Sequence, residues 1–276
     1  MYLPKNYWTS LAKDYGSVDA SGLAPILHPN APAWFNQVID QLQLNALRRA
    51  IAIAEVPPRA RFLDVGCGTG RWVRRYAEFG FCPVGIDATI DMLRIARAHG
   101  TGAPLTTALA YELPFSDAVF DVLSDITVLQ HIPYEFQPKA LEEMVRVLRP
   151  GGKMILLELL RGQDSHIFPR QQEEWVQEVE SCGTRLVRRF GHEYFFYDRL
   201  FVQLARALFS RRGASVDQAQ SALPTYPGDK HSSARRLYWK LRRITVFLSA
   251  LTESLQAKVC PVSTATHAVF VFRKDI

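Results

Sequence analysis

A glycine-rich turn follows the first predicted strand, with the sequence LDVGCGTG over residues 63–70. Glycine is needed where a chain turns sharply into a helix or where a ligand lies against bare backbone. Such a turn, at the start of a helix, presents free N–H groups and the positive end of the helix dipole to an anionic group. The turn therefore predicts a small-molecule binding site.

The spacing of the glycines excludes two common ligand classes. A phosphate-binding P-loop requires Gly-Lys-Ser/Thr, which this turn lacks. A dinucleotide-binding turn requires glycines at relative positions one, three and six. Here Gly70 is at position five, and position six is Arg71.

An acidic residue ends the next predicted strand. Asp87 closes the sequence VGID, 21 residues after Gly66. A carboxylate has two oxygens that match the two vicinal hydroxyl groups of a ribose. A carboxylate at this position can therefore accept hydrogen bonds from both hydroxyl groups of a ribose.

Four further motifs follow in order: LPF at 113–115, FDVL at 120–123, VLQH at 128–131 and RPGGK at 149–153. With the pattern Asp-x-Gly-x-Gly-x-Gly and the acid at the end of the second strand, they resemble the class I S-adenosylmethionine-dependent methyltransferase family. The resemblance covers roughly residues 60–160. It implies a Rossmann-like fold and the cofactor S-adenosyl-L-methionine, which leaves as S-adenosyl-L-homocysteine.

The resemblance also implies a role for individual residues. The turn would pass under the methionine part of the cofactor, with Asp64 near its amino group, while Asp87 holds the ribose. Asp125 would lie near the methionine end. The implied cofactor-binding residues are Asp64, Gly66, Cys67, Gly68, Gly70, Asp87, Ala88, Met92, Ala110, Tyr111 and Asp125.

The chain departs from the family pattern at one position. Leu109 stands where many relatives carry an acid that contacts the adenine amino group. Adenine recognition then falls to the backbone or to Glu112.

His131 is the leading candidate for a catalytic base. Methyl transfer requires alignment of the acceptor, exclusion of water and, for a hydroxyl acceptor, removal of a proton. Histidine has a suitable pKa, although a structural role for His131 is an open alternative. Other candidates for contact with the acceptor, or for a lid over the cofactor, are Tyr7, Trp8, Tyr15, His28, His192 and Tyr194.

Alternating strand and helix patterns predict an α/β fold. We expect a doubly wound, seven-stranded, mostly parallel sheet with an N-terminal helical segment and a helical cap insertion. The predicted strands are 61–65, 83–86, 106–109, 119–124, 153–160, 185–190 and 267–272. The predicted helices of the N-terminal part and the core are 33–55, 71–79, 89–98, 137–148 and 171–181.

We interpret the 276 residues as one domain in four parts. An N-terminal lid and helical segment covers 1–58, and the cofactor-binding core covers 59–190. A basic helical cap insertion covers 191–264, and 265–276 form the final core strand.

The net charge of +6 arises in one region. Residues 198–258 contain eleven Lys or Arg against four acids, so the rest of the chain is nearly neutral. The segment could recognise an acidic acceptor, rest on an anionic membrane or contact RNA. No RNA-binding motif is present, so we expect no nucleic-acid partner.

A leucine stripe within the basic segment predicts one long amphipathic helix whose apolar face packs onto the body. The stripe consists of Leu237, Leu241, Ile244, Leu248, Leu251 and Leu255. The bases predicted on or beside the solvated face are Arg235, Arg236, Lys240, Arg242 and Arg243.

The four cysteines have no metal-binding or redox spacing, so we expect no metal site. The first sixteen residues lack a signal-peptide pattern, and we expect a cytoplasmic protein. We predict methyl transfer to oxygen or nitrogen of a small or medium-sized organic acceptor, such as a natural product, sugar or similar metabolite. Alternatives are a quinone or lipid methyltransferase that works at a membrane surface and a non-catalytic S-adenosylmethionine-binding protein.

Overall fold

A computed structural model describes residues 4–15, 21–29, 31–162, 164–210 and 233–275, although not the side chains of residues 4, 205–210 and 233–236. It contains a seven-stranded sheet in the order β3-β2-β1-β4-β5-β7-β6. All neighbouring pairs are parallel except those of β7, which runs antiparallel to β5 and β6. The predicted α/β, mostly parallel architecture is confirmed. The strands are β1 (Arg61–Val65), β2 (Cys82–Asp87), β3 (Leu105–Thr107), β4 (Phe120–Ile126), β5 (Leu148–Leu159), β6 (Thr184–His192) and β7 (His267–Lys274).

Helices cover both faces of the sheet, as expected for near-continuously apolar parallel strands. The long α-helices among the described residues are α1 (Pro4–Tyr15), α2 (Ala33–Ala54), α3 (Arg71–Glu78), α4 (Ile90–Ala98), α5 (Gln137–Val147), α6 (Gln172–Ser181), α7 (Phe196–Ser210), α8 (Ser233–Leu251) and α9 (Glu253–Val259). Short 3-10 turns occur at Ala24–Ile26, Leu129–His131 and Val262–Thr264. None of the helices in the described part of the chain is long and apolar enough to span a membrane.

Two apolar layers enclose the sheet. On one face, Leu141 and Met144 of α5 and Trp175 of α6 are buried against residues of β1, β4 and β5. On the other face, Leu47 of α2 and Tyr76 of α3 pack against a cluster of buried sheet residues. Helix α2 is therefore part of the core.

The C-terminal ends of the parallel strands meet at one edge of the sheet. β1 ends at Val65 beside Ile86 and Asp125, and Asp125 pairs with Leu156 of β5. The start of antiparallel β7, His267, reaches the same edge opposite Leu159. Doubly wound folds bind their ligands at this edge.

The face of α8 that is buried is not the predicted one. The six residues of the leucine stripe are 43% to 84% exposed, so they do not pack onto the body. Helix α8 is instead buried through Val246 and Ser249 on its opposite side, and Val246 packs with Phe35 and Ile39 of α2. The predicted core face of the insertion is wrong.

Arg242 is also on the opposite face from its prediction. Its guanidinium pairs with Asp198 of α7 at 3.1 Å and lies 5.1 Å from the ring centre of Phe35. The ion pair and the cation–π contact offset the cost of removing the guanidinium from water. Lys240 and Arg243 are exposed as predicted. The side chains of Arg235 and Arg236, and all of Arg211, Arg212 and Lys230, lie outside the described residues.

Two element boundaries also differ from the sequence patterns. The stripe predicts one continuous helix, but Thr252 separates α8 from α9. The predicted strand starts at residue 153, but β5 starts at Leu148 and includes the RPGGK motif. Its pairing with β4 is irregular between Phe120 and Val122.

Candidate active site

The glycine turn leaves β1 and enters α3 in a conformation that favours glycine. Gly66, Gly68 and Gly70 have φ values of 67°, 51° and 73°, in the left-handed region that side chains disfavour. A Cβ atom at Gly66 would collide with the side chain of Val128, and one at Gly70 would lie 2.5 Å from the Thr101 hydroxyl. Both the backbone conformation and the close packing therefore require glycine.

Asp87 is tied directly to this turn. Its carboxylate accepts a hydrogen bond of 2.9 Å from the Gly68 N–H and one of 2.8 Å from the Thr89 N–H. Burial raises the pKa of Asp87 to about 6, against the opposing effect of these two N–H donors. Each oxygen keeps a lone pair for a further donor.

Asp64 is a buried acid with an unpaired oxygen. Its Oδ1 accepts a 2.8 Å hydrogen bond from the Ser124 hydroxyl, while Oδ2 has no partner among the described atoms. Burial raises the pKa of Asp64 to about 7. An unsatisfied buried carboxylate oxygen is costly, so the site fits a cationic or N–H donor.

Asp125 lies at the end of β4 as one member of a carboxyl pair with Glu158 of β5. Both side chains accept hydrogen bonds from the N–H groups of Val128 and Leu129. Burial and the neighbouring Asp125 raise the pKa of Glu158. The pair holds the turn that leads into His131.

The tautomer of His131 follows from its hydrogen bonds. The backbone oxygen of His166, an acceptor only, lies 3.1 Å from Nδ1, so Nδ1 carries the hydrogen. The Gln130 carbonyl accepts the Leu159 N–H, which turns its amide NH₂ toward Nε2 of His131 at 3.3 Å. Nε2 is thus the basic nitrogen. Burial lowers the pKa of His131 to about 4, which keeps the ring neutral near pH 7.

Rings from α1 cover His131. The Trp8 ring meets His131 edge-on at 4.9 Å between centroids, and Tyr7 stacks on His166 at 4.5 Å. The Tyr7 hydroxyl lies 3.2 Å from Nε2 of His166. Tyr7, Trp8, His131 and His166 form one cluster, hereafter the aromatic wall.

Comparisons with known proteins agree with this geometry. The family described as "Methyltransferase domain" matches residues 63–156. The chain is 30% identical over 190 residues to a demethylmenaquinone methyltransferase of Roseiflexus castenholzii, covering 67% of this chain and 70% of the relative. It is 34% identical to a demethylmenaquinone methyltransferase of Renibacterium salmoninarum over 45% of this chain and 52% of the relative, about half its length.

One solved structure adds support for the fold alone. A chain from the complex of the Haloferax volcanii Trm112 methyltransferase activator superposes over the full length of both chains, with a TM-score of 0.60 and 13% identity. The Roseiflexus match decides the family. The chain belongs to the class I S-adenosylmethionine-dependent methyltransferases.

The described residues of this methyltransferase fit S-adenosylmethionine. The unpaired Oδ2 of Asp64 would accept a hydrogen bond from the amino group of the methionine part, and the Asp87 carboxylate would accept from the ribose hydroxyls. Gly68 packs under Ile26 of the N-terminal segment, and the Thr69 hydroxyl donates to the Gly22 carbonyl at 3.0 Å. The N-terminal segment therefore closes directly over the glycine turn.

The residues predicted at the adenine and in the turn lie along the β1–β3 part of the edge. Met92 is fully buried, Ala88 is half-buried, and Tyr111 stacks on Phe136 at 5.0 Å. Ala110 is buried. The Glu112 N–H donates to the Leu109 carbonyl at 3.0 Å, and the Glu112 side chain is exposed. The Cys67 thiol packs with Val73 and Leu93, and burial raises its pKa, which makes it an unreactive filler.

The other predicted acceptor residues are more dispersed. The side chain of His28 is exposed beside Phe35, with ring centroids 5.2 Å apart. His192 is buried, with Nε2 3.3 Å from Glu193. Tyr194 lines a separate cavity under α7, and Tyr15 ends α1. The structure brings Tyr7 and Trp8 to His131, but it places His192 and Tyr194 in other surroundings.

Sequence reasoning missed three polar residues near this edge. They are Glu158, paired with Asp125; His166, in the aromatic wall; and His267, whose side chain meets that of Glu193 at 2.9 Å. The position of His267 could have been foreseen, because an antiparallel last strand starts at the edge where parallel strands end. His166 lies in an irregular segment, where no periodic signal exists.

Proposed function

We propose that this protein transfers the methyl group of S-adenosylmethionine to a small or medium-sized organic acceptor, at oxygen or nitrogen. The observation that carries the proposal is the direct bond between the glycine turn and Asp87, since it joins the two cofactor-binding elements into one site. The aromatic wall, near the same edge, supplies flat apolar surface for the acceptor.

The residues at the edge contribute alignment, exclusion of water and a proton acceptor. S-adenosylmethionine brings an activated methyl group, so the protein has little covalent chemistry to perform. Helix α1 covers the site and keeps water from it. Nε2 of neutral His131 accepts the proton of a hydroxyl acceptor after its 3.3 Å hydrogen bond from the Gln130 amide breaks.

A second candidate is a quinone-type acceptor. The matched relatives from Roseiflexus castenholzii and Renibacterium salmoninarum are named demethylmenaquinone methyltransferases. The flat rings of Tyr7 and Trp8 at the edge of the sheet suit a planar ring system. These two observations favour a quinone-type acceptor and do not identify a particular quinone.

A product assay distinguishes the candidates. The protein is incubated with S-adenosylmethionine and three acceptor classes (phenols, amines and short-chain hydroquinones), and S-adenosylhomocysteine and methylated products are measured by mass spectrometry. Methylated phenol or amine supports the first proposal, and methylated hydroquinone alone supports the second. Cofactor binding without any product across the panel would contradict both and favour a non-catalytic binding protein.

A further inference from the structure

The cap carries an apolar face that no described part of the molecule covers. On α8, Leu237, Ile244 and Leu251 point away from the body, with Leu251 84% exposed. The opposite face is anchored by fully buried Val246 and by the Arg242–Asp198 ion pair. A helix held firmly by one side and apolar on the other presents a surface for a partner. We call the six residues of the leucine stripe the outer face.

The charges around the outer face have one sign. Among the cap side chains that the structure describes, the exposed charged groups are Lys240, Arg243 and Lys258. Lys240 is three and four residues from Leu237 and Ile244, so it borders the stripe. The three acids of the described cap are turned inward: Glu193 is buried, Asp198 pairs with Arg242, and Glu253 accepts the Glu193 N–H at 2.7 Å.

The neighbouring helices extend the apolar surface. Phe196, Leu200 and Leu204 of α7 and Val259 of α9 are all at least 47% exposed. Phe196 and Leu200 also line a cavity of about 230 Å³ between α7 and the segment around Cys260. Exposed apolar residues therefore occur on all three cap helices.

We propose that the outer face docks this protein onto the surface of an anionic lipid bilayer. Leucines of an amphipathic helix enter the boundary between headgroups and acyl chains, while flanking lysines and arginines meet lipid phosphates. A second copy of the chain would place like positive charges against one another, because the exposed charges that the structure describes on the cap are all basic. The inference goes beyond the proposed reaction and depends on no particular acceptor.

The test is co-sedimentation of the full chain with vesicles, without cofactor or acceptor. Vesicles of phosphatidylcholine are compared with vesicles of phosphatidylcholine and phosphatidylglycerol. We expect stronger binding to the anionic vesicles and at least about tenfold weaker binding for L241Q/I244Q/L248Q. K240Q/R243Q/K258Q should lose about tenfold or more on anionic vesicles and little on neutral ones. V187Q and K139Q are matched controls, since these exposed residues lie outside the cap.

Three outcomes would overturn the proposal. Vesicle binding that is equal for wild type and L241Q/I244Q/L248Q would show that the outer face is not used. A concentration-dependent dimer that this variant abolishes, without vesicle binding, would assign the face to a second copy. A large fall in the variant's melting temperature would show that the chain itself covers the face. Methyl transfer to a soluble acceptor is measured separately, without vesicles. Failure of the proposed methyl transfer can therefore be distinguished from failure of the proposed membrane docking.

Discussion

Asp64 is a buried acid that we expect to weaken the fold in the absence of cofactor. Its carboxylate is buried with one oxygen unpaired, and burial raises its pKa to about 7. The folded protein therefore holds a proton on Asp64 at pH values where the unfolded chain has lost it. Stability falls as pH rises from about 4 through 7, and the full cost is present above that range.

Replacing Asp64 with Asn should stabilise the protein without cofactor. The difference in the free energy of unfolding between D64N and wild type should be about 2 kcal/mol larger at pH 8 than at pH 5. The reason is that burial penalises only the charged form of Asp64, which is present at pH 8. Urea unfolding at both pH values measures this difference. D91N, which changes a carboxylate paired with Arg94 near the surface, is the control. An equal gain at both pH values would contradict the assignment.

His131 should act in turnover and leave cofactor binding unchanged. H131N is expected to lower the single-turnover rate on a hydroxyl acceptor by at least about tenfold, with the dissociation constant for S-adenosylmethionine unchanged. Since burial lowers the pKa of His131 to about 4, the ring is deprotonated above that value. The rate should therefore show no loss from His131 protonation between pH 6 and 8. An unchanged rate in H131N would end the base assignment.

The positions of the glycine turn and of Asp87 at the sheet edge could be predicted from the sequence, but the surroundings of His131 could not. The glycines and Asp87 carry local signals, because backbone conformation and strand ends fix their positions. Contacts such as Trp8 with His131 join residues far apart in the chain, and periodicity contains no information about them. The tautomer of His131 depends on His166, which no motif indicated.

At the scale of elements, α1 links the N-terminus to the reacting edge. W8A should raise the KM for the acceptor severalfold, since Trp8 forms part of the aromatic wall, and should leave cofactor affinity within about twofold. Steady-state kinetics and calorimetry separate the two effects. S10A, on the exposed side of α1, should change neither. Equal losses of cofactor and acceptor affinity in W8A would contradict this division.

Helix α8 offers a test of which face is buried. V246A should lower the free energy of unfolding by about 1–2 kcal/mol, because it removes methyl groups from a fully buried position. L251A, at a position 84% exposed, should change it by less than about 0.5 kcal/mol. Chemical denaturation of both variants provides the comparison. A larger loss in L251A than in V246A would restore the predicted core role of the stripe.

Strand and helix positions followed the sequence closely in the core. β1 begins and ends where its apolar run predicted, and α2 differs by one residue at its C-terminus. The buried face of the cap helix α8 differs from its prediction, because a stripe of leucines has the same spacing whether it packs against the body or against a lipid surface. Periodicity identifies an apolar face and says nothing about what covers it.

At the scale of the whole molecule, charge and chemistry are separated. The nearly neutral core holds the glycine turn and its acids, whereas the basic residues are concentrated in the cap. In the described cap, the exposed charges are positive and the acids are turned inward. We propose that the outer face meets a membrane and that the sheet edge carries the reaction.

Calorimetric titration with S-adenosylmethionine measures directly whether the glycine turn and Asp87 form a cofactor site. We predict one bound cofactor per chain at pH 7.5 and affinity that weakens as the pH falls through about 6, where the Asp87 carboxylate becomes protonated. D87N should weaken binding at least about tenfold, and D91N should not. Absence of binding by the wild-type protein, or equal affinity in D87N, would contradict the account.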